Sequence, residues 1–137
     1  AGAAPVRVQD LAAFGCELGL SFQLVDDALD YSGRTDRLGK NVGDDLAEGK
    51  MTLPLIRTLA TGSPEQVAVV RSAVEARDGA RFDEVRDAVR AAGALDYTRE
   101  RAQACADAAR RRIERLPVGA HRDALIQLTD FSVARDH

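Results

Sequence analysis

The sequence predicts an all-α fold, and three observations lead to that prediction. Alanine and leucine are plentiful among the 137 residues, tryptophan is absent, and aromatic residues make up only 4%. Apolar residues recur at steps of three or four along most of the chain, which is the spacing of helices that bury one face. Alternating runs of polar and β-branched residues, which indicate strands, are missing. A chain of this length is expected to form one domain.

The first predicted helix runs from Asp10 to about Tyr31. Gly15 and Gly19 lie inside it, where each costs about 1 kcal/mol relative to alanine. We therefore expect a neighbouring helix to approach closely at these glycines. The apolar stripe of this helix comprises Leu11, Phe14, Leu18, Phe22, Val25 and Leu29.

A glycine-rich loop is predicted to follow from Arg34 to about Thr52, with room for a single helical turn at 44–48. Five more helices follow this loop, each bounded by a capping or breaking residue. Ser63 and Gln66 have the pattern of a capping box. In the last helix, Leu125, Leu128 and Phe131 form the apolar side. The five helices are predicted at 52–60, 64–77, 81–92, 95–116 and 120–133.

The charge balance and the two cysteines exclude several kinds of protein. With 22 acidic and 19 basic residues and a net charge of −3, the chain lacks the basic surplus of a general nucleic-acid-binding protein. No apolar run approaches the 18 residues of a membrane span, and residues 1–5 show no basic region followed by an apolar stretch, the pattern of a signal peptide. Cys16 and Cys105 fit no zinc or redox spacing, so we expect two buried free thiols in a reducing compartment.

The most unusual feature is an acidic cluster near the end of the first helix, formed by Asp26, Asp27 and Asp30. Residues three and four apart share a helix face, and Gln23 lies one turn earlier on the same side. Like charges at this spacing repel one another, and no lysine or arginine within the predicted helix neutralises them. Clustered carboxylates suit a hard cation such as Mg²⁺, which keeps waters and usually needs phosphate oxygens to complete its shell.

A solvated acidic face is the alternative, because a short D-D-x-x-D pattern also occurs by chance. The apolar neighbours Phe22, Val25 and Leu29 favour burial of this part of the helix, and burial favours a bound cation. Two lysines follow in the glycine-rich loop, Lys40 and Lys50, each directly after a glycine. A lysine on a flexible loop supplies a mobile positive charge for phosphate oxygens.

Taken alone, these lysines are better read as solvated charges with Asp44, Asp45 and Glu48 as surface partners. Beside the acidic cluster, they predict a site for a metal-bound diphosphate.

At these residues the sequence resembles a known family. Gly19 to Asp30, with the order GLSFQLVDDALD, resembles the second aspartate-rich motif of trans-isoprenyl (polyprenyl) diphosphate synthases. The stretch LGKNVGDDLAEGK at 38–50, followed by Thr52-Leu53-Pro54, is similar to the loop and next helix of that family. The segment GALDYT at 93–98 and the end of the chain from Ala124 are similar as well, most of all to octaprenyl and decaprenyl diphosphate synthases.

The resemblance implies the C-terminal half of an isoprenoid-synthase helical bundle, with about six helices and residues 1–137 as part of a single domain. It implies prenyl chain elongation, in which isopentenyl diphosphate condenses with an allylic diphosphate under Mg²⁺. The aspartates of the acidic cluster would bind the metal. Gln23, Lys40 and Lys50 would hold the diphosphate, and the two lysines would stabilise the leaving pyrophosphate.

Family members are about twice as long, and their first aspartate-rich motif has no counterpart here. We therefore expect the chain to be inactive alone and to pair with a missing N-terminal half, with another chain or with copies of itself. A non-catalytic helical partner or regulatory subunit is an alternative, and a terpene cyclase fragment fits less well. A cytoplasmic location is expected, and the lipid product is compatible with peripheral contact with a membrane.

Overall fold

The computed structural model describes residues 5–32 and 43–134. These residues form seven α-helices and one short 3₁₀ turn, Gly79–Arg81, and they contain no strand, so the all-α prediction is confirmed. Six of the helices are those expected from the sequence, and the seventh is the single turn α2. In chain order the helices are α1 (Pro5–Asp30), α2 (Asp44–Ala47), α3 (Leu53–Thr61), α4 (Pro64–Ala76), α5 (Phe82–Ala91), α6 (Ala94–Ile113) and α7 (Ala120–Ala134).

The chain divides into two compact units, and each has its own apolar core. The first unit comprises Ala1–Val25 and Glu100–His137, and its core contains Phe14, Leu18, Ala109 and Ile113. The second unit comprises Asp26–Arg99, and within it α3, α4 and α5 pack together. Its larger core includes Tyr31, Leu46, Leu55, Val70, Val85 and Val89, all fully buried.

Several helix boundaries follow from local capping and turn residues. Ser63 caps α4 through its Oγ, which accepts a hydrogen bond from the backbone N–H of Gln66, and Gln66 Oε1 accepts one from the backbone N–H of Ser63. This reciprocal pair is the expected capping box. Gly93 has φ of 65° between α5 and α6, a conformation that favours glycine. In the described part of the chain, α1 already includes Pro5, five residues before the predicted start at Asp10.

Two expectations about packing were wrong. Cys16 is exposed and Cys105 is only half-buried, although both are free as predicted. Within the described chain, no atom of another segment lies within 4 Å of a Cβ placed on Gly15 or Gly19, so the close approach of a neighbouring helix there stays a prediction.

In α7, Leu128 and Phe131 are 42% and 59% exposed. The buried side of this helix carries Thr129 and Ser132 instead. Their hydroxyls donate to the carbonyls of Leu125 and Thr129 within the same helix, which removes much of the penalty of burying them.

No helix in the described part of the chain has the length and apolar character needed to cross a lipid bilayer.

Candidate functional site

The acidic cluster occupies the C-terminal end of α1, and its three carboxylates differ in burial. The side chain of Asp27 is buried, with the residue only 6% exposed, whereas Asp26 and Asp30 are half-buried. Asp27 Oδ2 accepts a hydrogen bond of 3.4 Å from the backbone N–H of Leu53, the first residue of α3. The last turn of α1 contains no basic residue. The carboxylate charge is therefore concentrated beside the start of α3.

Tyr31 follows the acidic cluster directly and is completely buried. Burial raises the pKa of its hydroxyl well above the ordinary value, and the negative charge of Asp30 raises it further. The charges of Asp45 and Asp27 act in the same direction, while the neighbouring Thr52 hydroxyl opposes them. The carboxylates of α1 and α2 therefore lie around one neutral phenol, which stays protonated at physiological pH.

Lys50 is bound to α2 by its backbone and by its side chain. Its N–H donates to the carbonyl of Asp45 over 2.9 Å, and its Nζ lies 3.0 Å from Asp45 Oδ1 and 2.6 Å from Glu48 Oε2. The hydrogen bond to Glu48 and then that to Asp45 raise the pKa of this ammonium, so Lys50 remains charged at neutral pH. The side chain is 53% exposed, and an incoming anion can reach it.

The structure brings only some of the predicted site residues together. The acidic cluster and Lys50 belong to one compact unit, Asp26–Arg99. Gln23 is exposed on α1, one turn before Asp26. Lys40 lies outside the described residues. Within residues 5–32 and 43–134, no three Asp, Glu, His or Cys side chains are placed so as to enclose a metal ion.

Sequence reasoning missed two residues of this region, namely Tyr31 and Thr52 as a buried neighbour of the phenol. The pairing of Lys50 with Asp45 and Glu48 agrees with the surface partners that the sequence suggested for the lysines. Nothing in the sequence indicates that Tyr31 and Thr52 would meet, because they belong to different helix ends that only the tertiary fold brings together.

Comparison with known proteins identifies the family. The sequence profile of the family described as Polyprenyl synthetase matches residues 1–92, which include the acidic cluster and Lys50. The chain belongs to the polyprenyl synthetase family. This confirms the resemblance on which the sequence analysis relied.

Individual polyprenyl synthetases match over nearly the whole chain. The octaprenyl diphosphate synthase of Escherichia coli is 45% identical over 137 residues, covering 99% of this chain and 42% of that enzyme. A polyprenyl synthase from Caulobacter crescentus, solved in complex with calcium and isoprenyl diphosphate, is 41% identical with a TM-score of 0.88. The match covers all of this chain and 42% of the Caulobacter crescentus synthase.

A geranylgeranyl pyrophosphate synthase from Corynebacterium glutamicum, solved with isoprenyl diphosphate and magnesium, is 27% identical with a TM-score of 0.84. That match covers 98% of this chain and 39% of the other. The chain therefore spans about two fifths of the length of the synthases that it matches. These likenesses confirm the helical synthase fold.

Proposed function

We propose that this chain supplies the second aspartate-rich motif of a polyprenyl diphosphate synthase. In the proposed reaction, the C–O bond of an allylic diphosphate breaks and pyrophosphate leaves. The double bond of isopentenyl diphosphate then attacks the carbocation, and loss of a proton completes the longer chain. The observation that carries the proposal is the acidic cluster, in which Asp27 is a buried carboxylate beside two further carboxylates and no base in the last turn of α1.

The acidic cluster fits a hard divalent cation. Carboxylate oxygens are the ligands that Mg²⁺ prefers, and a carboxylate whose Oδ2 accepts a hydrogen bond still has a second oxygen for the ion. Asp26, Asp27 and Asp30 are the residues that would hold the ion. Mg²⁺ usually takes only one or two protein carboxylates and completes its shell with water and phosphate, so a closed cage of side chains is not required. When bound, the ion would neutralise charge on the leaving diphosphate.

Lys50 is the described base best suited to the diphosphate. Its ammonium has three N–H donors and forms ion pairs with two carboxylates. Lys50 is exposed, and ion pairs at exposed positions are weak. A diphosphate carries more charge than either carboxylate and would compete for these donors. Lys40 and Gln23 are proposed to assist in the same binding step. Such positive groups stabilise the negative charge that develops on departing pyrophosphate.

The chain is further proposed to need a partner for catalysis, because it spans only about two fifths of the related synthases. Exposed residues in the middle of α1 support this. Leu20 is 51% exposed, and Gly15 and Gly19 are exposed on the same helix. Small residues let another helix approach closely, so the remainder of a synthase, another chain or a second copy could pack here. A cytoplasmic location, with peripheral membrane contact through the product, remains a prediction.

A hybrid enzyme tests the proposed function. Residues 1–137 would replace the matching segment of the Escherichia coli octaprenyl diphosphate synthase, and labelled isopentenyl diphosphate would report chain elongation. We expect activity from the hybrid and a loss of about 100-fold or more in turnover with Asp26→Ala, the scale of lost electrostatic stabilisation. Glu75→Ala, at an exposed position on α4, is the charge-matched control.

A folded hybrid without activity would contradict the catalytic proposal and favour the alternative of a non-catalytic helical partner. Full turnover of Asp26→Ala at limiting Mg²⁺ would contradict the metal assignment alone.

A further inference from the structure

Phe82, the first residue of α5, contacts two segments that lie far from it in the sequence. Its ring stacks on Tyr31 with 5.8 Å between ring centroids and 25° between planes. On the Gly43 side, a Cβ added to that glycine would lie only 2.6 Å from Phe82 Cδ2. One aromatic ring therefore packs against the residue that follows the acidic cluster and against the residue that precedes α2.

Both contacts are constrained by their surroundings. Tyr31 is completely buried in the core of its unit, and Phe82 packs against that core. Gly43 has φ of 91°, which disfavours any side chain, and the Phe82 ring fills the space that a side chain would need. The ring position is therefore set from two sides.

Helix α2 depends on such contacts for its position. It has only four residues and no side-chain hydrogen bond at its N-cap, Gly43, and so short a helix is not stable by itself. Its tertiary anchors include the fully buried Leu46, the packing of Gly43 against Phe82 and the close approach of Ala47 to Gly79 in the 3₁₀ turn.

The position of α2 determines that of Lys50. Both the backbone N–H and the Nζ of Lys50 bind Asp45, which belongs to α2. A shift of α2 would therefore carry the ammonium with it. Phe82 contacts Gly43 at the start of α2 and Tyr31 directly after the acidic cluster, so it links the two segments that carry Lys50 and the carboxylates.

We propose that Phe82 is a positioning residue that holds Lys50 in register with the acidic cluster and so sets the affinity of this site for a metal-bound diphosphate. This inference rests on the proposed function, because it assumes that the two groups bind one ligand. Phe82 touches neither the ligand nor the reacting atoms. Its effect passes through Tyr31 on one side and through Gly43 and α2 on the other.

Calorimetric titration of the 137-residue chain with inorganic pyrophosphate at saturating magnesium chloride tests this inference. Phe82→Ala should weaken binding about tenfold, the lower end of the loss seen when a residue that orients metal ligands is removed. Val85→Ala is the matched control. Val85 lies one turn further along α5 and is completely buried, so its truncation weakens the same core without removing the stacked ring.

Two further variants keep the test decisive if Phe82→Ala does not fold. Phe82→Leu keeps an apolar side chain but loses the flat ring, and it should weaken binding while the protein stays folded. Gly43→Ala should also weaken binding, because it displaces the ring. The double variant Gly43→Ala with Phe82→Ala should lose less binding free energy than the sum of the two single variants.

Equal affinities for the Phe82 variants, Val85→Ala and the unmodified chain would overturn the positioning role while leaving the proposed function intact. Absence of pyrophosphate binding by the unmodified chain would overturn the proposed diphosphate site and the positioning role together. Pyrophosphate binding by the unmodified chain therefore shows whether the positioning role alone has failed or the diphosphate site as well.

Discussion

The carboxylate of Asp27 accepts a hydrogen bond from the backbone N–H of Leu53, which lies 26 positions later in the sequence. The distance between the nitrogen and Oδ2 is 3.4 Å. Leu53 opens α3, and Thr52 at the N-cap makes no capping hydrogen bond with its own side chain. The acidic cluster of α1 therefore provides an acceptor at the N-terminus of α3. An anion at a helix N-terminus is favourable, because the N–H groups there lack partners within the helix.

The first prediction concerns this contact. Asp27→Ala should lower the free energy of unfolding by about 1–2 kcal/mol, because a helix loses the acceptor at its N-terminus. Asp27→Asn relieves the same repulsion among the carboxylates but keeps an acceptor oxygen, so it should be the more stable variant. Urea unfolding measures both. Equal stabilities for the two variants would show that the acceptor contributes nothing.

The second prediction concerns Lys50. Lys50→Ala should weaken binding of magnesium pyrophosphate about tenfold or more, the loss expected for a charged hydrogen-bond donor. Stability should change little, because the two ion pairs of Lys50 are exposed. Arg71→Ala, at an exposed position on α4, removes the same charge elsewhere. Calorimetry should show weaker binding only for Lys50→Ala, and equal losses would indicate general electrostatic attraction. Lys40→Ala is expected to act in the same direction as Lys50→Ala.

The third prediction concerns two buried hydroxyls of the first unit. Ser21 Oγ and Ser132 Oγ lie 3.3 Å apart, and both residues are completely buried. Each single alanine variant should cost about 1 kcal/mol in unfolding free energy, since it leaves one hydroxyl without this partner. The double variant should cost clearly less than the sum, because contacting residues are coupled. Simple additivity in a double-mutant cycle would argue against the bond.

The fourth prediction concerns pH and the start of α4. Ser63 Oγ donates to Glu65 over 2.7 Å, and this hydrogen bond, followed by that of the backbone N–H of Glu65, lowers the pKa of the carboxyl. A pKa lowered on folding gives a stabilisation that exists above the unfolded value and disappears as the pH falls through the folded value. Ser63→Ala should cost about 1 kcal/mol at pH 7 through the lost cap.

The cost of Ser63→Ala should shrink on acidification, because the interaction with the ionised Glu65 is then lost in the parent chain as well. Unfolding at pH 7 and pH 3 measures this. Thr61→Ala, just before the cap, should show no such dependence on pH. A cost that is constant between the two pH values would contradict the role of Glu65.

The fifth prediction concerns self-association. Leu128 and Phe131, three residues apart on α7, form an exposed apolar patch in the first unit. Light scattering should give a mass above 14.7 kDa for the purified chain, and Leu128→Gln with Phe131→Gln should reduce it. Val118 is 80% exposed but isolated between α6 and α7, so Val118→Gln is the control. A monomer of 14.7 kDa with sharp cooperative unfolding would refute the prediction.

The sequence predicted the helices well because their limits depend on local chemistry. Helix starts and ends depend on interactions within a few residues, so they can be read without knowledge of the fold. Examples are the capping box of Ser63 and Gln66, Pro64 in the first turn of α4, and Gly93 after α5. The acidic cluster could be recognised for the same reason, since residues three and four apart on one helix are always neighbours.

Burial was predicted less well because it depends on what covers each helix. Leu128 and Phe131 have the helical spacing of a core face, but Thr129 and Ser132 occupy the buried side. The contacts of Phe82 with Tyr31 and Gly43 join positions about 40 to 50 residues apart. Such contacts follow from tertiary packing, and a single sequence does not encode them in a readable pattern.

The stacked and buried Tyr31 also has a practical consequence. The sequence contains no tryptophan and only one other tyrosine, Tyr97, so two phenol rings supply the intrinsic ultraviolet emission of the chain. In a Tyr97→Phe background, Tyr31 would be the sole emitter, next to the carboxylates at the end of α1. The unlabelled protein thus carries its own optical reporter at the place where ions are expected to arrive.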